Sequence, residues 1–193
     1  MAPVGSRESL AAAFQAGADS VYFGIGTLNM RSKSANEFTI DDLKEIASLC
    51  AERGVKSYLT VNTVIYDEDL PLMRQIVDAA KEAKISAVIA SDAAVMMYCK
   101  QKGVEVHLST QLNISNVEAL KFYSQFADVV VLARELNLRQ VKRIYDEIQQ
   151  ELFDDSACVP ICYQINVNIH NKAITHYAGK TFGVGLPTIS WVK

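Results

Sequence analysis

The chain of 193 residues is expected to be an α/β protein on a (β/α)8, TIM-barrel-like plan, incomplete or with atypical last strands. Three observations predict this. Short apolar runs alternate with amphipathic helical stretches at roughly two to three dozen residues, the rhythm of right-handed βαβ units around a parallel sheet. The apolar runs end in hydroxyls, amides or charges, as in Val106-His107-Leu108-Ser109-Thr110-Gln111-Leu112-Asn113, which is how buried strands read when their C-terminal ends open into a polar basin. No Gly-x-Gly-x-x-Gly turn follows any of these runs, which favours a barrel over an open doubly wound sheet.

In chain order, Ala2-Pro3-Val4-Gly5 reads as the end of a first strand, because Ser6 follows as a helix N-cap with Leu10, Ala13 and Phe14 behind it and Gly17 as the stop. Val21-Tyr22-Phe23 forms a second strand that runs into Gly24 and a long polar loop, Thr27 to Phe38. Loops of that length inside compact repeats are usually functional. Thr39, with Asp42 three residues on, opens a helix whose apolar stripe is Ile40, Leu43, Ile46, Ala47 and Cys50. Val55 to Asn62 is the third strand. Asp67 opens a helix that carries Pro71 in its first turn, where a missing N–H is tolerated. Ile85 to Ala90 is the fourth strand, capped into a helix by Ser91 or Asp92 and stopped at Gly103; the fifth is the Val106 stretch. Asn116 opens the next helix, Asp128 to Leu132 is a sixth strand, and Asn137 opens a helix with Leu138, Val141, Ile144, Tyr145 and Ile148 on its apolar face.

After Gln150 the helical stripe is lost. The expected organisation is therefore barrel-like units over 1–150 and an atypical segment over 151–193, which replaces the last barrel strands or leaves an edge open. Ile165 to Ile169 alternates like one further strand, and Val159 to Cys162 like part of another. An open edge predicts pairing with a second copy.

Composition narrows the class. Half the residues are hydrophobic and the net charge is -3, enough for a substantial core and with no general pull toward phosphate backbones or anionic lipid. The longest apolar runs fall short of the roughly 18 residues of a spanning helix, and Pro3 and Gly5 stand where a basic, then apolar, leader would. The expectation is a soluble cytoplasmic protein without a membrane partner. Cys50, Cys99, Cys158 and Cys162 show no dense disulfide spacing and are read as reduced thiols.

The candidate site gathers the polar residues at the strand ends. Arg134 offers a planar fork for a carboxylate or phosphate, and Glu135 a proton acceptor, with a rim salt bridge as the ordinary alternative. His107 lies on the face opposite Val106 and Leu108, where it serves as acid or base or as a hydrogen-bonded structural histidine. Asn29, Arg31, Asn62, Thr110, Gln111 and Asn113 supply polar contacts to a peptide or a base, or cap their loops. No dedicated metal site is expected. No Gly-x-Ser-x-Gly or His-Glu-x-x-His is present, so no hydrolase of a familiar mechanism is declared.

Ala2 to Ser6, Ala16 to Gly24, Asn29-Met30-Arg31, Glu37-Phe38-Thr39, Val61-Asn62-Thr63, Ser109 to Asn113 and Leu132 to Leu136 together resemble the N-terminal barrel of the collagenase-like bacterial peptidases of unclassified catalytic type, over about residues 1–148. The resemblance implies a peptidase acting on peptide, or, as in other members, iron–sulfur-dependent hydroxylation of RNA bases or of a quinone precursor with the cluster held by four cysteines. A non-catalytic interaction protein is the third class. In the family a His-Gly-Ala-x-Cys motif follows the last matched helix. Here Cys158 and Cys162 have no His-Gly pair before them, so the cofactor is left unassigned, with these two thiols as the candidate ligands.

Overall fold

The structure is a computed structural model. It describes residues 1–30 and 38–154, the last six of them by backbone alone. By internal contacts the chain divides into two units, Met1–Ile148 and Gln149–Lys193. The first is described here; Arg31, Cys158, Cys162, His170, His176 and the two tail strands expected from the sequence lie outside the described residues.

Among the described residues six strands and six α-helices alternate: β1 Ala2–Pro3, α1 Arg7–Gln15, β2 Ser20–Gly24, α2 Asp42–Glu52, β3 Lys56–Val61, α3 Leu70–Glu82, β4 Ala87–Ala90, α4 Ala93–Lys102, β5 Val106–Leu108, α5 Val117–Ser124, β6 Val129–Val130 and α6 Leu138–Asp154. All strand pairs are parallel and their spatial order is the chain order, β1 to β6. A doubly wound sheet reverses its order at a switch point. This sheet does not, and the order is that of a barrel wall. Among the described residues β1 and β6 are each paired on one side only.

Register separates the two faces. Phe23, Leu59, Val88 and Val106 stand in one row across β2 to β5, with Val61, Ala90 and Leu108 in the next row. All seven are buried and belong to the core, together with Leu43, Ile46, Met73, Ile76, Val77, Val95, Met96 and Cys99 from the helices. The helices therefore pack on this face. The opposite face carries Tyr22, Tyr58 and Ala87 in one row and Gly24, Thr60, Ile89, His107 and Val129 in the next, the polar and aromatic side that a barrel turns inward.

Local chemistry sets the ends. Ser6 accepts from the Ser9 N–H at 3.2 Å while the Ser9 hydroxyl accepts from the Ser6 N–H at 2.9 Å, a reciprocal cap on α1. Asp92 caps α4 through the Ala94 N–H at 2.8 Å, Asn116 caps α5 through the Ala119 N–H at 2.8 Å, and Gly103 closes α4 at φ 67°. Arg7 ties α1 to α2 through Asp42 and Glu45. The Thr39 N–H and hydroxyl, and then Arg7, hold the Asp42 carboxyl below its ordinary range.

Several boundaries differ from the sequence reading. The third helix begins at Leu70, after a 3-10 turn over Asp67–Asp69, and Pro71 is its second residue. Strand β6 is two residues long, shorter than expected, because the Ala133 N–H bonds to the Ile114 carbonyl at 2.9 Å and draws the chain out of the ladder. Helix α6 continues to Asp154, past the boundary expected at Gln150. No helix among the described residues is long and apolar enough to cross a membrane.

Candidate active site at the C-terminal rim

Parallel strands put every strand exit at one end of the sheet, and in this fold the exits are tied to one another in succession. The Met30 N–H, in the β2 exit loop, donates to Asn62 Oδ1 after β3 at 3.4 Å. The Ile65 N–H, in the β3 exit, donates to Asp92 Oδ2 after β4 at 3.3 Å. The Ser109 N–H, at the end of β5, donates to the Ala90 carbonyl at 2.8 Å, and Ala133, after β6, donates to Ile114. Four hydrogen bonds thus join five neighbouring exits into one rim. Asp92 takes part twice, once as the α4 cap and once as this tie, which the sequence signalled only as a cap.

Each site residue expected from the sequence, except Arg31, which lies outside the described residues, has a definite place. Asn62 is half-buried and bonded across to Met30. Thr110 and Gln111 lie on a 3-10 turn that Ser109 caps, and Asn113 ends it in the left-handed region at φ 50°; Gln111 and Asn113 are exposed. Arg134 and Glu135 occupy the turn beyond β6, both exposed, and among the described residues no side-chain hydrogen bond or ion pair holds either one. The rim salt bridge considered from the sequence is not formed between them. Asn29 is buried: its amide donates to the Ile25 carbonyl at 3.3 Å and the Gly26 carbonyl at 2.8 Å, closing the turn after β2. The loop-capping alternative describes its bonds.

His107 stands apart from the rim. It faces away from Val106 and Leu108, as its alternation predicts, and lies mid-strand on the inward face with its ring 4.9 Å from the Tyr58 ring. Its Nε2 is 2.8 Å from Oε1 of Glu105, the residue immediately before β5. The histidine therefore engages a partner toward the N-terminal end of the sheet, while Glu135 lies past the C-terminal end. The structure does not bring these two together. Tyr58 and Glu105 are the inward-face neighbours that sequence reasoning missed; the two-residue spacing of Glu105 and His107 was the available signal.

The iron–sulfur cluster implied by resemblance finds no ligand set among the described residues. Cys50 and Cys99 sit buried on α2 and α4, and burial pushes both thiols up, Cys99 to about 12. No three His, Cys, Asp or Glu side chains among the described residues could share a metal ion. A thiol with so high a pKa carries negligible thiolate at neutral pH. Iodoacetamide labelling followed by mass spectrometry is expected to leave Cys50 and Cys99 unmodified in the native chain and to modify both in urea; rapid native labelling of Cys99 would contradict the buried placement.

The model of peptidase family U32 matches residues 5–185. The chain belongs to peptidase family U32. The match extends past residue 148, where the resemblance read from the sequence stopped. A relative from Porphyromonas gingivalis, named "Collagenase", is 60% identical over 184 residues, covering 94% of this chain and 44% of its own length. The "tRNA hydroxylation protein P1" of Bacillus subtilis is 32% identical over 155 residues, covering 79% of this chain and 36% of its own. The chain thus spans less than half the length of these relatives. Among solved structures, the U32 peptidase Mk0906 aligns with a TM-score of 0.57 at 17% identity, over 75% of this chain and 63% of that one, a likeness of fold.

Proposed function

We propose that this U32 chain contributes a peptide-binding and peptide-cleaving rim, in which Arg134 and Glu135 act on the scissile bond and Asn62, Thr110, Gln111 and Asn113 hold the backbone around it. The observation that carries the reading is the 60% identity, across 94% of the chain, to a protein named "Collagenase". The geometry supports it through two exposed charged groups on the turn after β6 that have no partner among the described residues. An exposed carboxylate accepts a proton from water as that water adds to the peptide carbonyl, and passes the proton to the departing amine. A guanidinium on the neighbouring residue offers paired N–H donors to the oxygen on which negative charge develops.

Cleavage of gelatin by the purified chain is expected to fall about 100-fold in Glu135→Gln, the ordinary range for loss of a general base. Retention of cleavage in His107→Ala, alongside that loss, assigns proton transfer to the rim and leaves His107 to order the inward face. Unchanged cleavage in both variants would overturn the reading.

Hydroxylation of an RNA base is the second reading, favoured by the 32% identity to the "tRNA hydroxylation protein P1". Its ligands would have to come from outside the described residues, Cys158 and Cys162 among them. An anaerobically purified sample with the broad visible absorption of an iron–sulfur centre, and without gelatin cleavage, would replace the first reading by this one.

A further inference from the structure

We infer that the β3 exit segment, Val64 to Asp69, is a specificity subsite for a peptide that presents an apolar side chain followed by a cationic one. The inference deepens the peptide reading above and rests on it.

The first observation is an exposed apolar group on the rim. Met30, Val64 and Tyr66 are 66%, 66% and 63% exposed. Single exposed apolar side chains are ordinary. Val64 and Tyr66, however, stand two residues apart on one exit segment, and Met30 is tied through its N–H to Asn62, two residues before Val64; apolar side chains presented on one part of a surface mark places where something binds.

The second is that the backbone presenting them is held. Ile65, between Val64 and Tyr66, turns inward against the core, and its N–H is tied to Asp92. The Tyr66 N–H donates to Asp69 Oδ2 at 3.1 Å. Val64 and Tyr66 therefore project from a segment anchored on both sides, and side chains presented without further ordering bind at lower entropic cost. Asn62 spends its oxygen on Met30, which leaves its amide hydrogens for a backbone carbonyl of the occupant.

The third is charge. Asp67, Glu68 and Asp69 follow Tyr66 directly. Acids at a helix start stabilise the helix dipole, and Asp69 is further engaged by Tyr66. Asp67 and Glu68 are exposed, and no ion pair among the described residues neutralises them. Beside an apolar pair, two such carboxylates favour a lysine or arginine and repel a phosphate backbone. Charge thus selects a peptide over a nucleic acid at this corner of the rim.

Fluorescence anisotropy with two labelled peptides tests the assignment: Ala-Ala-Phe-Lys-Ala-Ala and Ala-Ala-Ser-Glu-Ala-Ala. The wild-type chain is expected to bind the first about tenfold more tightly. The Val64→Ser, Tyr66→Ser double variant and the Asp67→Asn, Glu68→Gln double variant are each expected to reduce that ratio to within about twofold, and Arg134→Ala to weaken both peptides while keeping the ratio. All of these positions are exposed, and an unchanged thermal transition will show that the variants are folded. A preference that survives both double variants overturns the subsite, as does a short single-stranded RNA that displaces the Phe-Lys peptide as readily as the unlabelled peptide does. Gelatin cleavage with no peptide preference counts against the subsite alone; preference with no cleavage counts against hydrolysis and leaves the subsite standing.

Discussion

Replacing Leu59 by alanine is expected to lower the free energy of unfolding of the chain by about 3 kcal/mol, within the roughly 2–5 kcal/mol that buried leucines lose on truncation. Leu59 is fully buried at the middle of β3. It has Phe23 beside it on β2 and Val88 on β4, both also buried, and the helices cover the row. Neighbours fixed on both sides by the strand ladder have little freedom to collapse into the space left behind, so the cavity cost adds to the lost transfer energy. Urea unfolding followed by circular dichroism gives the value. A loss below about 1 kcal/mol would show that this row is not the packed face of the sheet.

The second large effect is expected at Gly24, at the end of β2. A Cβ built there would fall inside the van der Waals envelope of the Asn29 amide. Asn29 has no easy retreat, since its side chain is buried and bonded to the carbonyls of Ile25 and Gly26. Gly24→Ala is therefore expected to cost about 2 kcal/mol by expelling Asn29 and leaving buried carbonyls unsatisfied. Asn29→Ala gives up the same bonds but makes room for the new methyl, so the double variant should be no less stable than Gly24→Ala, far from the sum of the two losses. Additive losses would contradict the close approach. Because Met30 follows Asn29 directly, the Met30–Asn62 tie should loosen as well, and Gly24→Ala is expected to weaken peptide binding at the rim.

Much of this was legible in the sequence where the chemistry is local. Ser6, Asn116 and Gly103 mark helix ends by the bonds or the backbone geometry that they alone supply cheaply, and each stands at the end it predicted. The facing of His107 followed from strand alternation. Non-local features were not legible. The rim ties join residues about thirty positions apart, Met30 to Asn62 and Ile65 to Asp92, and no short pattern records which exit loop a given N–H will reach. The same cause shortens β6: Val131 is as β-prone as Val129 and Val130, but the bond from Ala133 to Ile114 turns the chain toward the rim. Asn29 shows a different ambiguity. An asparagine near a strand exit suits ligand binding and turn closure equally well, and only the positions of the Ile25 and Gly26 carbonyls decide that its amide is spent on the turn.

Hydrogen–deuterium exchange of the chain with and without a gelatin-derived peptide tests most directly whether substrate engages the C-terminal rim. Exchange is expected to slow in the exits after the strands, over residues 62–66, 109–114 and 131–136, and to stay unchanged at the other end of the sheet, over residues 17–19 and 53–55. Protection confined to 17–19 and 53–55, with the exits unaffected, would contradict the account.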